Sequence, residues 1–224
     1  MTLRLLCFPH AGAGASSFAR WPGLFPESIT LDRIRLPGRE EAAAEPPLRR
    51  VGDAVAFVLP RIRPGERVAL YGHSMGALVA FELARALTAA GTEPVHLFVS
   101  GRRAPHLPAR RAPIHRLPDE EFLTALADMG GPIGPSPSWR RYATRLTRAD
   151  LELSEEYHYL PVPRLRCPVT VFHGNEDPLV TVGEAQAWKE LTDSEFAIHP
   201  LPGDHFFHHR HRVTLAATMT GALP

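Results

Sequence analysis

Cysteine and lysine are scarce in this sequence, and long apolar runs are absent. Its 224 residues include two cysteines, Cys7 and Cys167, each in or beside a predicted buried strand. We therefore expect reduced core residues rather than a disulfide or a nucleophile. Lys189 is the one lysine beside 24 arginines, and 24 acidic residues nearly balance these cations, so no nucleic-acid surface is expected.

No segment approaches the roughly 18 consecutive apolar residues that a membrane-spanning helix needs. The apolar run that follows Met1 is also too short for a signal peptide, so we expect a cytoplasmic protein. With 44% hydrophobic residues and a net charge of +1, the chain is expected to be globular. Its length fits one domain spanning residues 1–224, and a monomer is the simplest expectation.

Segments typical of strands and helices alternate along most of the chain. Predicted strands cover residues 3–8, 29–35, 67–71, 95–100, 169–173 and 196–201. Predicted helices cover residues 18–21, 51–59, 75–90, 182–191 and 206–220. Such alternation predicts an α/β fold whose mostly parallel central sheet is flanked by helices.

A helical insertion interrupts this alternation at about residues 113–163, where no strand is evident. Helices are predicted over 119–129 and 139–159, with a segment rich in glycine and proline between them. An insertion of this size between two core strands predicts a helical lid over the functional site. Ordinary packing of two helices on the sheet is the alternative.

The sequence Gly-His-Ser-Met-Gly at residues 72–76 joins an apolar strand-like run to an alanine-rich helical stretch. In this context Gly-x-Ser-x-Gly is the nucleophile elbow of the α/β-hydrolases, a turn tight enough to hold the serine in a strained conformation. Side chains at Gly72 and Gly76 would clash with the strand or the helix. Ser74 is therefore the candidate nucleophile, at a helix N-terminus that supplies free N–H groups and a positive dipole end.

A serine nucleophile needs a base and an acid that orients the base, and in the α/β-hydrolases the chain order is serine, acid, histidine. Asp177 lies in the turn after the fifth predicted strand, with Glu176 as a competitor for the acid role. His205 lies in the turn after the sixth strand and is the candidate base; an unrelated histidine of a surface loop is the alternative. Ser74, Asp177 and His205 are thus the predicted catalytic residues.

Two backbone N–H groups are needed to stabilise the tetrahedral intermediate of such a reaction. The amide of Met75, directly after the nucleophile, is one predicted donor. The loop after the first strand, residues 8–16, is rich in glycine and alanine, so its backbone can approach a substrate closely. Ala11 is the predicted second donor, and an ordinary turn is the alternative for this loop.

The other histidines near these residues are not expected to be catalytic. His208, His209 and His211 follow His205 at spacings that resemble those of metal ligands. Four histidines on an exposed amphipathic helix are usually solvated, so no metal site is predicted. His73 lies inside the elbow and is expected to be a neighbour of the site rather than its base.

Taken together, the motifs resemble those of the type II thioesterases that accompany modular polyketide and nonribosomal peptide synthetases. The resemblance covers nearly the whole chain and rests on residues 8–12, 36–40, 45–47, 72–76, 100–105, 148–150, 174–178 and 203–207. Pro-Gly-Arg-Glu at 37–40 and Ser-Gly-Arg-Arg-Ala-Pro at 100–105 are its most specific elements. Two residues depart from the family pattern: His10, where tyrosine is frequent, and Asp204, where glycine is common.

The resemblance implies a serine thioesterase that hydrolyses acyl groups from the phosphopantetheine arm of acyl or peptidyl carrier proteins, removing stalled or aberrant units or releasing intermediates. It implies no cofactor of the enzyme's own, because the phosphopantetheine arrives on the substrate. By the same resemblance, the terminal thioesterase domains of polyketide synthases are expected to carry their catalytic acid after the strand that follows the nucleophile. Residues 100–103 hold no carboxylate at that place, which favours the type II class.

Carrier proteins of such pathways are usually acidic, by the same resemblance, and one segment of this chain is strongly basic. Residues 102–116 contain no acidic residue and five arginines, which are Arg102, Arg103, Arg110, Arg111 and Arg116. Charge steering of a carrier to this segment is one interpretation, and an ordinary solvated loop is the other.

Two rival interpretations of the function remain open at this point. A general carboxylesterase, or a medium-chain acyl-carrier thioesterase of fatty acid synthesis, would share the same three catalytic residues. A non-catalytic hydrolase-fold protein that binds carriers would not need all three, so their presence counts against it.

Overall fold

The chain folds around a parallel sheet, in a computed structural model that describes residues 2–130, 136–161 and 164–224. The strands are β1 Leu3–Phe8, β2 Ile29–Arg33, β3 Val68–His73, β4 His96–Ser100, β5 Val169–Gly174 and β6 Phe196–Leu201. Their order is β2-β1-β3-β4-β5-β6, and every neighbouring pair runs parallel. Parallel strands need crossover connections, and helices supply most of them.

The helices are α1 Val51–Val58, α2 Met75–Ala89, α3 Asp119–Asp128, α4 Pro137–Glu155, α5 Val182–Gln186, α6 Phe207–Arg210 and α7 Arg212–Ala222. Short 3-10 turns occupy Ala15–Phe18, Glu40–Ala42, Leu59–Arg61 and Ala187–Leu191. α3 and α4 lie between β4 and β5, where the sequence predicts the insertion. Among the residues described, no helix is long and apolar enough to cross a lipid bilayer.

The inner strands carry almost uninterrupted apolar runs because both faces of the sheet are covered. Every residue of β3, β4 and β5 is buried, whereas the edge strands β2 and β6 are mostly half-buried or exposed. One face packs against α1, α2 and the turn Ala187–Leu191, and the other packs against Trp21 and α7. Both cysteines are buried and free, as expected.

The predicted fold class is confirmed, and each predicted strand is found within two residues of its expected ends. The helix predicted over 182–191 changes to a 3-10 turn after Gln186. The helix predicted over 18–21 was wrong, because the helical turn there is a 3-10 turn that ends at Phe18. The apolar spacing of Phe18 and Trp21 instead reflects core packing, in which their rings meet edge to face at 5.2 Å.

Of two other predicted helices, one is interrupted and one ends earlier than the sequence indicates. The helix predicted over 206–220 is broken at His211, whose φ of −101° and ψ of 20° leave the helical region. Its Nε2 donates to the Pro202 carbonyl at 2.9 Å, which holds the break in place. α4 ends at Glu155 because the chain then turns so that the Tyr157 hydroxyl donates to Glu82 at 2.5 Å.

The strand order creates a crevice at the carboxyl edge of the sheet. β1 pairs with β2 on one side and with β3 on the other, so the connections after β1 and β3 leave towards different parts of the molecule. Ligands of open α/β sheets bind in the crevice at such a switch point, beyond the carboxyl ends of the strands. The elbow after β3 and the turns after β5 and β6 lie at this same edge.

Candidate active site

Ser74 occupies the sharp turn between β3 and α2. Its φ of 54° and ψ of −113° place a non-glycine residue in a strained region of backbone space. A Cβ at Gly72 would collide with the carbonyl of Gly76, and one at Gly76 would collide with the carbonyl of Phe8. The two glycines therefore let strand and helix approach closely enough to force the serine outward, as the elbow motif predicts.

The structure brings the three predicted catalytic residues into one hydrogen-bonded row. His205 Nε2 lies 3.1 Å from Ser74 Oγ, and His205 Nδ1 lies 2.9 Å from Asp177 Oδ2. His205 is 5% exposed, and the Asp177 side chain is fully buried. A base within hydrogen-bond reach of a serine, and itself held by a buried carboxylate, is the geometry that activates a hydroxyl nucleophile.

Backbone amides fix the carboxylate that faces His205. Asp177 Oδ1 accepts from the amides of Leu179 at 2.8 Å and Val180 at 3.3 Å, which leaves Oδ2 for the imidazole. Glu176, the competing acid, is exposed, and only its backbone amide is held, by the Gly203 carbonyl at 3.0 Å. Asp177 is therefore the acid that can orient the base.

The two predicted oxyanion donors lie on segments that the fold brings to the serine. Met75 is the first residue of α2, and Ala11 lies in the loop after β1 that packs beside it. Within the described ranges 2–130, 136–161 and 164–224, neither amide donates to another protein group. Unused N–H groups beside a nucleophile are suited to an oxyanion.

A buried ion pair holds the loop after β1, and we call it the Arg39 network. Arg39 donates to Asp150 through two nitrogens, at 2.7 and 3.0 Å, and both side chains are at most 1% exposed. Asp150 Oδ2 also accepts from the Gly12 amide at 2.7 Å, and Arg39 donates to the Ala13 carbonyl at 2.7 Å. Burial raises the pKa of Asp150, while Arg39 and the Gly12 amide oppose that rise. Through the contacts to Gly12 and Ala13, this network fixes the backbone next to Ala11.

Glu40 supports the same loop from the adjacent position in the chain. Its carboxylate accepts from the amides of Ser16 at 2.7 Å and Ala15 at 3.1 Å. Burial alone would raise the pKa of Glu40, but these hydrogen bonds and nearby Arg35 lower it overall. No role is predicted from the sequence for Arg39, Glu40 or Asp150. Arg39 and Glu40 stand inside the motif at residues 37–40, but that motif does not indicate their partners.

Histidines flank the other side of the loop, and we call His10, His73, His208 and His209 the histidine cluster. The His73 and His208 rings are stacked at 3.7 Å, and the His73 ring lies 5.1 Å from that of His205. His73 Nδ1 is paired with Ser100 Oγ at 2.9 Å, which makes it a neighbour of the site and not its base, as expected. Burial lowers the pKa of His10 to about 3 and that of His208 well below its usual range, with further lowering by neighbouring histidines.

The expectation of an exposed helix carrying these histidines was wrong in part. His208 is 1% exposed, whereas His209 lies at the surface and His211 is half-exposed. The break at His211 turns α6 into a single turn that points His208 towards the sheet. Asp204, the other departure from the family pattern, is exposed, and its carboxylate accepts from the Phe206 amide at 2.9 Å.

The five arginines of residues 102–116 divide into inward-facing and surface groups. Arg102 donates to Ser154 Oγ at 2.6 Å, and burial lowers its pKa to about 10, so it is not part of a solvated loop. Arg103 is bonded to the Leu107 carbonyl. The remaining three, Arg110, Arg111 and Arg116, are largely exposed. Arg110 and Arg111 donate to the carbonyls of the two residues that follow Asp177, so both guanidinium groups lie beside the site, and Arg110 is also ion-paired with Glu184 at 2.8 Å.

Both helices of the insertion reach the loops that form the site. A Cβ built at Gly130, just after α3, would lie 3.5 Å from the ring of Phe206, the neighbour of His205. On α4, Thr147 approaches Gly12, one turn before Asp150 joins the Arg39 network. The insertion therefore lies against the loops on either side of Ser74.

A large groove elsewhere is not this site. It encloses about 1280 Å³ between α1, the C-terminal half of α2 and the end of α4, and none of Ser74, Asp177 and His205 lines it. Its charged lining is largely self-paired, through Arg49–Glu152, Arg85–Glu82 and Arg116–Glu156. The described residues that line this groove do not form a nucleophile–base pair like that of Ser74 and His205.

Comparisons with known proteins agree on one family. The sequence matches the family described as thioesterase domain over residues 3–222. It is 42% identical over 212 residues to the gramicidin S biosynthesis protein GrsT of Aneurinibacillus migulanus, which covers 92% of this chain and 82% of that protein.

Solved structures give the same result. The fold is similar to RedJ, a thioesterase from the prodiginine biosynthetic pathway in Streptomyces coelicolor, with TM-score 0.90, 37% identity, and coverage of 99% of this chain and 85% of that one. It is also similar to BorB, the type II thioesterase from the borrelidin biosynthetic cluster, with TM-score 0.91, 33% identity, and coverage of 100% and 94%.

Proposed function

The chain belongs to the thioesterase family, and from this premise we propose that it is a type II thioesterase that hydrolyses acyl groups from the phosphopantetheine arm of carrier proteins in nonribosomal peptide or polyketide synthesis. The observation that carries the proposal is the hydrogen-bonded row of Ser74, His205 and Asp177 at the carboxyl edge of the sheet. Acyl transfer to serine is the chemistry that this row supports.

In the proposed reaction, His205 Nε2 accepts the proton of Ser74 as the serine oxygen attacks the thioester carbonyl carbon. The amides of Ala11 and Met75 donate to the oxyanion that forms. The carbon–sulfur bond then breaks, and His205 returns the proton to the pantetheine sulfur. A water molecule, deprotonated by His205, attacks the acyl-serine and releases the free acid, while Asp177 stabilises the imidazolium at both stages.

The insertion and the surface arginines have separate proposed roles. α3 and α4 form a lid that shields the thioester and contacts the acyl chain, supported by the approach of Gly130 to Phe206 and of Thr147 to Gly12. Arg110 and Arg111 steer the acidic carrier towards the loop after Asp177. Arg102 and Arg103 do not belong to this docking surface, because both are partly buried, whereas Arg110 and Arg111 are exposed.

The proposal is tested by incubating the protein with carrier proteins loaded with a panel of acyl groups and following the loss of acyl mass. We expect unloading that falls by about 10³-fold or more in Ser74→Ala, because the nucleophile is removed. Matched oxygen esters distinguish the alternative functions. Cleavage of the oxygen esters while the carriers stay loaded indicates a general esterase. A strict preference for medium-length chains indicates a fatty-acid type enzyme, and stoichiometric acylation without turnover indicates a carrier-binding protein.

The docking surface has its own test, the charge reversals Arg110→Glu and Arg111→Glu. We expect a fall in kcat/KM of roughly tenfold for carrier-bound acyl groups at low salt, and little change for a small acyl thioester, because only the carrier is steered by charge. Arg67→Glu is the matched control, since Arg67 is exposed just before β3, at the opposite edge of the sheet. Equal losses on both substrates would contradict the docking role.

A further inference from the structure

Three histidines from two separate segments converge beside the loop after β1. His10 comes from that loop, and His208 and His209 come from α6. One side-chain nitrogen from each of the three lies within 4.8 Å of the other two. Their rings approach in edge-to-face pairs, with the His10 ring 5.6 Å from that of His208 and 5.8 Å from that of His209. The three imidazoles thus face a common point.

Two ring nitrogens of this group have no hydrogen-bond partner among the described residues. The Nδ1 atoms of His10 and His208 are buried and have no hydrogen-bond partner in the part of the chain that the structure describes. A buried polar atom left without a partner costs about 1–3 kcal/mol, and such atoms are rare in native proteins. Neighbouring histidines are committed elsewhere: His205 to Ser74 and Asp177, and His211 to the Pro202 carbonyl.

We propose that His10, His208 and His209 bind one divalent transition-metal ion of the zinc type, and that the bound ion slows the thioesterase reaction. Imidazole nitrogen is a preferred ligand of zinc, nickel and copper ions. Zinc–nitrogen bonds of about 2.0–2.1 Å in tetrahedral geometry place the ligand atoms about 3.3 Å apart, and water completes the fourth position. Ligand atoms within 4.8 Å of one another are near this spacing, and His209 lies at the surface, where its side chain can rotate.

The effect on the reaction follows from what the three ligands adjoin, and this part rests on the proposed function. His10 directly precedes Ala11, so a metal bridge to α6 fixes the segment that carries an oxyanion donor. His208 stacks on His73, which in turn lies 5.1 Å from His205. The bound dication therefore lies near the ring that must become positively charged during catalysis, and like charges repel at this range.

Metal binding is tested directly on the intact protein with ZnCl₂ in a calorimetric titration, with stoichiometry checked by elemental analysis. We expect one Zn²⁺ per chain, and affinity lower by about tenfold or more in His209→Ala, because one of three ligands is lost. His158→Ala is the matched control, an exposed histidine after α4 that lies outside the group, and its affinity should equal that of the parent. His209 is exposed, so this variant avoids the folding risk of replacing His10 or His208.

Substitution of Co²⁺ gives an independent readout, because tetrahedral cobalt coordinated by nitrogen shows intense visible absorption. We expect this absorption in the parent and in His158→Ala and its loss in His209→Ala. Absence of stoichiometric zinc binding would overturn the site, as would binding that is unchanged in His209→Ala.

The regulatory part is tested by hydrolysis of a small acyl thioester with and without Zn²⁺, each variant being compared with its own metal-free rate. We expect inhibition of the parent that a chelator reverses and a clearly weaker effect on His209→Ala. Stoichiometric binding without inhibition would overturn the regulatory part and support the site. Absence of serine-dependent turnover would instead overturn the proposed function, while the calorimetric result would still decide the metal site.

Discussion

The loop after β1 borders two polar regions that differ in how completely their groups are paired. On the α4 side, Arg39 and Asp150 satisfy one another and also hold the Gly12 amide and the Ala13 carbonyl. On the α6 side, buried nitrogens of His10, His73 and His208 have no hydrogen-bond partner within ranges 2–130, 136–161 and 164–224. The charged groups of the Arg39 network are paired with one another, whereas the histidine cluster has nitrogens that can still bind a ligand.

The difference separates two ways in which buried polar groups serve an enzyme. A fully paired charged network holds its side chains in fixed positions. Removing one member leaves the other charge buried without a partner, which is costly in the low dielectric of the interior. Unpaired imidazoles contribute little polar stabilisation of their own and cost free energy unless a ligand uses them. The first arrangement suits the positioning of an oxyanion donor, and the second suits reversible binding.

The largest expected effect comes from breaking the paired side. Asp150→Asn leaves the Arg39 guanidinium buried without its counter-charge, so we expect a loss of about 3–5 kcal/mol in the free energy of unfolding. Urea denaturation measures this loss. Glu152→Gln is the matched control on the same helix, because the Arg49–Glu152 pair lies at the surface and should be worth at most about 1 kcal/mol. Equal losses in the two variants would remove the distinction between the two pairs.

A smaller effect, dependent on pH, is expected from Glu40→Gln. The carboxylate of Glu40 has a lowered pKa in the folded chain, so its stabilising contribution is present above the ordinary glutamate pKa of about 4.3 and is lost as the pH falls through the folded value. We expect the variant to be less stable by about 1 kcal/mol near neutral pH and to converge with the parent in acid.

Denaturation at about pH 7 and about pH 3 measures that convergence. Glu41→Gln is the control, since Glu41 pairs with Arg35 at the surface and its side chain is 76% exposed. A difference between Glu40→Gln and the parent that stays constant with pH would show that the carboxylate charge does not hold the loop.

The smallest effect is expected on the unpaired side. His208→Phe keeps a ring stacked on His73 and removes two nitrogens, of which Nδ1 has no partner. We expect a free energy of unfolding within about 1 kcal/mol of the parent, because an apolar group of similar shape removes an unsatisfied one. The measurement is the same urea titration, with zinc calorimetry on the same sample. A loss comparable to that of Asp150→Asn would show that the cluster is paired after all.

Sequence reasoning recovered the sheet and the row of Ser74, Asp177 and His205 because both depend on local signals. The elbow requires glycine two residues on either side of the serine, and parallel strands bring the turns that follow them to one edge. The sequence favours Asp177 over Glu176, and in the structure the Asp177 carboxylate is the one that faces His205.

The supporting contacts could not be read from the sequence because their partners are far apart in the chain. Arg39 and Asp150 are separated by 111 residues, and neither motif indicates that the other carries its counter-charge. His10 joins His208 and His209 only because α6 ends after a single turn, and the helical pattern of residues 206–220 does not indicate that break. Side-chain pairing across distant segments is decided by tertiary packing.

The Arg39–Asp150 contact also restricts how an acyl chain can enter. α4 cannot move away from the sheet without separating two charges that have almost no access to water, and such a movement would release the Gly12 amide as well. α3 is held in a different way, by the fully buried Phe122, over whose ring the Arg148 guanidinium lies at 4.1 Å. If the insertion covers the site as we propose, we therefore expect α4 to stay in place as one wall of the entrance, with the loop after β1 undisturbed behind it.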